Sequence, residues 1–172
     1  ADAILYMKTF KDLRYSPQAV LAMDAGYISD EFKKTLGKDG EFVLSREVWA
    51  LDLAKKKPMI AQVNEIYKKR FGRDMNGNSA RSFTGFLVLA DAINNAGSTD
   101  PEKIRESLEK YKLSGDRMIM PWQGVAFDPK THQNTEGRGI IVQLVSGEWR
   151  TVWPFDLASG DVVWPMPAWG KR

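Results

Sequence analysis

A carboxylate, two small residues and a phenol follow one another at Asp24, Ala25, Gly26 and Tyr27, directly after the apolar run AVLAM. The run predicts a strand of a buried parallel sheet. In open parallel sheets, ligands bind outside the carboxyl ends of the strands. The four residues could therefore bind a small molecule through charge, close backbone approach and a stacking surface. A plain strand-to-helix turn, with Asp24 as an Asx-type cap, explains the same residues.

Trp49 is a second candidate because it follows the next predicted strand, EFVLS at residues 41–45. Strands that run parallel bring their carboxyl ends to one edge, so Trp49 could form a wall of the same crevice. The alternative is that this aromatic side chain anchors its loop to the core.

The other polar candidates favour structural roles. His132 is the only histidine and lies in the polar turn THQN, which predicts a solvated loop residue. A basic cluster at residues 68–73 falls at the end of a predicted helix, where cations interact favourably with the helix dipole. The MNGN string at residues 75–78 is typical of a turn. Arg81, near the start of the following helix, opposes the dipole and indicates either an external anionic partner or an exposed side chain.

Recognisable catalytic motifs are missing from the sequence. It has no phosphate-binding loop of the Walker type, no G-x-G-x-x-G after a strand and no G-x-S-x-G elbow. The lack of cysteine excludes disulfides, thiol catalysis and cysteine-ligated metals. We therefore expect no enzyme activity, no metal and no cofactor.

Helices and strands alternate in the first part of the chain. A helical stripe begins at Ala3, and Ser29 caps a short helix that ends at Gly37. Another helix runs from Pro58 towards Gly72, with apolar residues predicted on its buried side: Ile60, Val63, Ile66, Tyr67 and Phe71. This alternation predicts an α/β fold with a parallel, doubly wound sheet.

Two helices joined by a tight turn follow at residues 78–111. The first carries a wide apolar stripe that predicts a core helix: Phe83, Phe86, Leu87, Leu89, Ala90 and Ile93. Gly97 is its expected left-handed C-cap, and Asp100 followed by Pro101 begins the second helix. Further on, residues 139–145 and 149–153 flank Ser146–Gly147 and predict a β-hairpin. The proline-broken tail at residues 161–172 predicts a surface segment or a crossing to another lobe.

Composition limits the class of protein. The chain has 172 residues, 43% of them hydrophobic, which is enough for a domain-sized core. A formal net charge of +3 from mixed charges does not indicate a nucleic-acid partner. No apolar run is long enough to cross a bilayer, and the first ten residues lack the order of a signal peptide. A processed or truncated secreted protein would have the same properties.

Several strings in this order resemble the C-terminal half of a type I periplasmic solute-binding protein of the branched-chain amino acid receptor group, which serves ABC importers. The strings are AVLAMDAGYISDEFKKTLG, GEFVLSREVWAL, ARSFTGFLVLADAINNAGSTDPEKIRESLEKY, GVAFDPKTHQN and GIIVQLVSGEWRTVWP. The resemblance implies a periplasmic receptor with two doubly wound lobes that close on a solute. Residues 1–59 would belong to one lobe and 60–125 to the other, and the hairpin, hinge and tail at 126–172 would return to the first.

The resemblance also implies partners. They are a small-molecule ligand, an ABC permease, and either the N-terminal half of the receptor or a swapped copy of this chain that covers exposed strand edges. The loop after AVLAM would contact the ligand in this family. Ala25 stands where the amino acid receptors carry an acid, with Asp24 one position earlier. An amino acid and an aromatic or other organic acid therefore both remain as ligands.

Two other functions share this architecture. An effector-sensing domain of a transcription regulator, or an amide sensor, would have the same fold. A flavodoxin-like enzyme is the third possibility, although the sequence has no phosphate loop to support it.

Overall fold

The computed structural model describes residues 2–23 and 25–172, which form two compact units. The first unit takes the chain up to Asp52 and again from Ile140 to Arg172, and the second comprises Leu53–Gly139. The sequence-based division at residues 59 and 125 stays a prediction. Within the described ranges, every helix is too short or too polar to span a bilayer.

Helices and strands are numbered in chain order. The helices are α1 (Asp2–Asp12), α2 (Ala25–Ile28), α3 (Asp30–Leu36), α4 (Pro58–Phe71), α5 (Gly77–Ala96) and α6 (Pro101–Glu109). The strands are β1 (Leu21–Met23), β2 (Leu44–Glu47), β3 (Lys112–Ser114), β4 (Gly124–Ala126), β5 (Ile140–Val145) and β6 (Glu148–Trp153).

The first unit contains a four-stranded mixed sheet with the order β1-β2-β5-β6. The pair β1 and β2 is parallel, whereas β5 pairs antiparallel with both β2 and β6. The predicted hairpin is therefore confirmed. Its turn has positive φ at Ser146 (55°) and Gly147 (76°), as a two-residue type I′ connection requires. The α/β class is confirmed, with antiparallel strands added to the parallel pair.

Helices α1, α2 and α3 pack together over the first sheet. Their core includes Met7, Phe32 and Val43, all of them fully buried. The predicted boundaries of α3 are confirmed, because the Ser29 hydroxyl accepts a hydrogen bond from the Phe32 amide at 3.1 Å and Gly37 ends the helix. The helical stripe that begins at Ala3 does not continue to Leu13, which is exposed because the helix ends at Asp12.

The AVLAM segment differs from the predicted buried strand. Only Ala22 of β1 is buried, while the side chains of Leu21 and Met23 are 67% and 75% exposed. These two side chains are exposed because β1 forms the edge of the sheet and its second face is not covered by the described residues. The second strand also begins later than expected, at Leu44.

Two polar side chains, the half-buried Asp52 and the buried Gln143, connect distant segments of the first unit. The Asp52 carboxylate accepts hydrogen bonds from the Thr151 amide (2.6 Å), the Thr151 hydroxyl (2.9 Å) and the Ser159 hydroxyl (2.6 Å). The Gln143 side chain donates to the carbonyls of Phe42 and Val163 and accepts from the Val163 amide. The tail is thereby held against the first unit, where Met166 joins the core.

The second unit consists of α4, α5 and α6 with the antiparallel ribbon of β3 and β4. The predicted ends of these helices are confirmed: Pro58 begins α4, Gly72 and Gly97 adopt left-handed C-caps, and Asp100 caps α6. The MNGN segment is not a free turn. Asn76 is the N-cap of α5 and forms a capping box with Ser79.

The buried face of α5 is not the predicted one. Phe86 is 70% exposed, and Leu87 and Leu89 are also exposed. Small or medium side chains are buried instead, at positions four apart: Ala80, Thr84, Val88 and Ala92. Small residues let a helix approach its neighbours closely, so this face packs although the other face is more apolar. On α4 the predicted stripe likewise fails at Ile66 and Phe71, which are exposed.

Tyr111 links the end of α6 to α5. Its hydroxyl donates to Oδ2 of Asp91 at 2.8 Å, and its ring is buried. Burial, followed by the hydrogen bond to Asp91 and its charge, raises the pKa of Tyr111 to about 12. The phenol therefore stays protonated well above neutral pH.

Replacing Asp52 by Ala should lower the free energy of unfolding of the first unit by about 2–4 kcal/mol, because three donors lose their acceptor. Tryptophan fluorescence during urea unfolding reports this unit, which contains five of the six tryptophans: Trp49, Trp149, Trp153, Trp164 and Trp169. Asp161→Ala, at an exposed aspartate without a hydrogen bond in the described residues, is the control. An equal loss in both variants would contradict the assigned role of Asp52.

Tyr111→Phe should cost about 1–2 kcal/mol of stability near neutral pH, since it removes a hydrogen bond to a carboxylate. The pKa of Tyr111 is higher in the folded state, so this stability is complete below pH 10 and is lost as the pH rises towards 12. Urea unfolding followed by circular dichroism at several pH values measures the difference. Tyr67→Phe, at a hydroxyl without a hydrogen bond in the described chain, should change neither quantity.

Candidate functional site

The parallel pairing of β1 and β2 places their carboxyl ends side by side. Met23, the last residue of β1, is in register with Arg46, the penultimate residue of β2. Residues 24–27 follow β1 in the chain, and Trp49 comes two residues after the end of β2. The predicted site residues therefore follow adjacent strand ends in the chain. Their role in binding stays a prediction.

The segment after β1 is helical rather than a loop. Asp24 lies outside the described residues, and Ala25–Ile28 form the short helix α2. Gly26 does not serve a turn with positive φ, since it lies within this helix. A Cβ atom at Gly26 would instead lie 3.3 Å from Cβ of Ala3, so the glycine permits close packing of α2 against α1.

Tyr27 has a partly buried side chain that packs on the core. Its ring centroid lies 5.4 Å from that of Phe32, with an angle of 48° between the ring planes. Burial, and to a smaller extent the nearby Tyr6, raises the pKa of the Tyr27 phenol. At neutral pH the hydroxyl is therefore a neutral group that can donate a hydrogen bond.

Trp49 is 3% exposed and is followed by the buried Ala50. This burial supports the interpretation in which the indole anchors its segment to the core. A ligand could touch only the small exposed fraction of this side chain.

A cavity of about 350 Å³ lies beside α1 and the segment that leads into β1, and we call it the β1 groove. It is lined by Tyr6, Phe10, Tyr15, Pro17, Ala19, Val20, Leu21 and Tyr27. None of these residues is charged. Three of its aromatic residues belong to α1 and the segment after it, and they were not predicted as site residues. The sequence does carry a signal for them, namely aromatic residues at positions 6 and 10, which share one face of a helix.

A larger depression of about 750 Å³ lies in the second unit, along α5 and α6. Its lining is rich in lysine and polar residues: Asn95, Ala96, Lys103, Glu106, Ser107, Lys110, Tyr111 and Lys112. It contains none of the predicted site residues, and its lysine and glutamate side chains lie on a solvated helix face.

Arg46 is a further candidate that was not predicted from the sequence. Its side chain is exposed at the carboxyl edge, next to the end of β1, and makes no ion pair with the described residues. A free guanidinium can bind a carboxylate through two parallel hydrogen bonds. The second strand begins and ends later than predicted, so Arg46 lies within it. Its position near the end of this strand is the signal that the sequence carries.

The remaining candidates have structural or solvated roles. His132 is exposed in a turn that the Asp128 carboxylate organises by accepting the amides of Lys130 and Thr131. The basic residues at 68–73 are exposed at the end of α4. Arg81 hydrogen-bonds to the Asn78 side chain one turn earlier. Within the described ranges, no group of three acidic or histidine side chains could hold a metal ion.

Comparison with curated proteins finds relatives over nearly the whole chain. The Leu/Ile/Val-binding protein homolog 7 of Brucella suis is 22% identical over 170 residues, which cover 96% of this chain and 42% of the relative. Its homologue in Brucella melitensis matches equally. The chain thus spans about two fifths of the length of the curated relatives it matches. No family model matches the sequence.

Comparison with solved structures identifies the same group. A leucine-binding protein from Thermotoga maritima aligns with a TM-score of 0.68 at 22% identity, over 87% of this chain and 40% of that protein. A protein assigned as a branched-chain amino acid ABC transporter, from Silicibacter pomeroyi, aligns with a TM-score of 0.73 at 16% identity, over 95% and 44%. The fold is therefore that of type I periplasmic binding proteins. The Brucella and Thermotoga maritima proteins are named as amino acid-binding proteins, which confirms the resemblance.

Gly26→Val should destabilise the first unit by about 1–3 kcal/mol, because the added side chain collides with Ala3 where α2 meets α1. Gly85→Val is the matched control, since Gly85 also lies within a helix but has open space beside it, and valine there should change stability by no more than about 0.5 kcal/mol. Urea unfolding followed by circular dichroism measures both. Equal effects would show that the packing at Gly26 is unimportant.

Proposed function

We propose that this chain, which has the fold of the type I periplasmic binding proteins and resembles the branched-chain amino acid receptors of ABC importers, binds a small organic solute at the carboxyl edge of its first sheet. The protein would act outside the cytoplasm and deliver the solute to an ABC permease. The observation that carries this proposal is the parallel register of β1 and β2, which pairs Arg46 with Met23, the last residue of β1 before the segment that contains Tyr27.

The chemistry of this edge favours a ligand with an acidic group. Arg46 offers an exposed guanidinium, and Tyr27 offers a neutral phenol. A carboxylate accepts hydrogen bonds from both types of group. Asp24 follows Met23 in the sequence and would add a carboxylate suited to an ammonium group. An amino acid would use both charges, whereas an aromatic or other organic acid would use only the guanidinium and an aromatic surface.

The relatives support an importer receptor rather than the effector-sensing domain of a transcription regulator. The Thermotoga maritima protein is a leucine-binding protein, and a related structure from Thermus thermophilus contains bound valine. That Thermus thermophilus structure has a TM-score of 0.60 at 17% identity, so the likeness shows the fold and leaves the ligand of this chain as a proposal.

A thermal-shift screen of the full-length protein tests the proposal. The panel contains leucine, valine, phenylalanine and benzoate, and one chemical class should stabilise the protein according to RT ln(1 + [L]/Kd), or about 2.7 kcal/mol at one hundred times Kd. An amino acid class would show itself by a shift with leucine or phenylalanine and none with benzoate. A screen in which no member gives a concentration-dependent shift would contradict a receptor for these solutes.

Variants locate the site once a stabilising solute is found. Arg46→Gln should weaken binding of a carboxylate ligand at least about tenfold, because a charge-assisted hydrogen bond is lost. Asp24→Ala should abolish stabilisation by an amino acid and leave that by an aromatic acid unchanged. Lys8→Gln, at an exposed cation on α1, is the control for Arg46. Unaltered stabilisation in both Arg46→Gln and Asp24→Ala would place the ligand elsewhere.

A further inference from the structure

The chain passes between its two units at two points, Asp52–Leu53 and Gly139–Ile140. On the side of the second unit, residues 53–57 follow the first point and residues 136–139 precede the second. We call these stretches the first and the second connection. Each contains one half-buried cation whose side chain donates to backbone carbonyls.

Both cations bond to one stretch of the second unit. Nζ of Lys57, in the first connection, donates to the Gly115 carbonyl at 2.6 Å and to the Met120 carbonyl at 2.7 Å. Nε of Arg138, in the second connection, donates to the Pro121 carbonyl at 2.7 Å. Two connections that are far apart in the sequence are therefore bonded to neighbouring carbonyls.

The stretch that carries these carbonyls, residues 115–121, is largely buried and partly irregular, and we call it the carbonyl segment. Gly115 and the residues from 118 to 121 are buried, and residues 118–121 form neither helix nor strand. Buried carbonyls need donors, and an irregular backbone does not obtain them from a helical turn or a strand ladder. Lys57 and Arg138 supply these donors.

The two cations also influence each other. Burial lowers the pKa of Lys57, the Asp116 carboxylate opposes this shift, and the charge of Arg138 lowers the pKa further. The cations therefore lie close enough to repel each other. The dipoles of the carbonyls that accept their hydrogen bonds offset this repulsion.

The backbone of the first connection is itself ordered. The amides of Lys56 and Lys57 both donate to the Leu53 carbonyl at 2.9 Å, and the Leu53 side chain is buried. The position of the Lys57 side chain is thus transmitted to the backbone next to the crossing point.

The second connection reaches the carbonyl segment through its backbone as well. The Glu136 carbonyl accepts the Gln123 amide at 3.0 Å, and the Gln123 carbonyl accepts the Gly115 amide at 2.8 Å. A Cβ atom at Gly115 would lie 2.6 Å from the Gln123 carbonyl oxygen, so the glycine permits this close approach.

We propose that the carbonyl segment is a common anchor for both connections, with Lys57 and Arg138 as the positioning residues that attach them. The order of the first connection and that of the second are then coupled, because each is fixed to the same buried backbone. Removing either cation releases the carbonyl segment and so loosens the other connection. This coupling involves residues of the second unit alone and does not depend on the solute or on the proposed function.

Hydrogen exchange at single amides tests the coupling. Lys57→Met removes the ammonium and keeps an apolar stem, so the Gln123 amide at the second connection should exchange about tenfold faster or more. Arg138→Met should accelerate exchange of the Lys57 amide at the first connection to a similar extent. Lys56→Met, at an exposed neighbour, is the control and should leave the Gln123 amide unchanged. Acceleration confined to the connection that carries the substitution would overturn the proposal.

The double variant Lys57→Met/Arg138→Met distinguishes a common anchor from two separate contacts. The Gly115 amide reports on the carbonyl segment itself. With a common anchor, this amide should exchange at most about threefold faster in the double variant than in the faster single variant, because one loss already releases the segment. Two independent contacts would multiply the accelerations, to about a hundredfold for two tenfold effects, and that result would overturn the coupling.

Chemical modification separates loss of the ammonium from loss of the fold. The sequence has no cysteine, so Lys57→Cys provides a single thiol. In urea, its thiolate displaces bromide from bromoethylamine, which restores an ammonium at the length of lysine, or from bromopropane, which gives the same length without charge. After refolding, the aminoethylated protein should regain the slow exchange of the Gln123 amide, and the propylated protein should not. The Ile104 amide, which donates to the Asp100 carbonyl in α6, reports the fold in both. Equal exchange of Gln123 in the two proteins would overturn the role of Lys57.

Discussion

The candidate site depends on the short parallel ladder between β1 and β2. Its register fixes which backbone groups of β1 bond inward and which face outward, and it aligns the strand ends at one edge. Because the strand is only three residues long, the ladder depends on the core beneath it, where Ala22 packs with Met7 and Phe32. The proposed solute site at the carboxyl edge therefore depends on this one set of hydrogen bonds.

Local signals in the sequence predicted local structure well. The caps at Ser29 and Asp100, the left-handed glycines after α4 and α5, and the hairpin at Ser146–Gly147 all depend on neighbouring residues, and all are present in the structure. Burial was predicted less well. Apolar residues surround α5, so periodicity could not identify the face that packs. That face carries the smaller residues at positions 80, 84, 88 and 92, which allow neighbouring segments to approach the helix closely.

In the candidate site, too, the order of elements was predicted and the burial of side chains was not. Strand alternation and the rule for parallel sheets were enough to select residues 24–27 and Trp49. They could not show that residues 25–28 are helical, that Trp49 is almost fully buried, or that Arg46 stands exposed beside Met23. These properties depend on register and on packing with α1, which are set by contacts between segments distant in the sequence. The aromatic lining of the β1 groove was missed for the same reason. The contact between Phe10 in α1 and Tyr15, which follows the end of that helix, is an example.

The inserted arrangement of the two units has a consequence for biosynthesis. The second unit, Leu53–Gly139, is continuous in sequence, whereas the first needs strands β5 and β6 and the tail to complete its sheet. During translation, domains fold as their segments emerge. The second unit can therefore fold on the ribosome before β5, the strand that pairs with β2, has been synthesised. The Asp52 carboxylate receives its partners Thr151 and Ser159 only when residues 151–163 have been synthesised, and the same holds for the bonds of Gln143 to Val163. A nascent chain therefore passes through a stage in which β1 and β2 belong to an incomplete sheet.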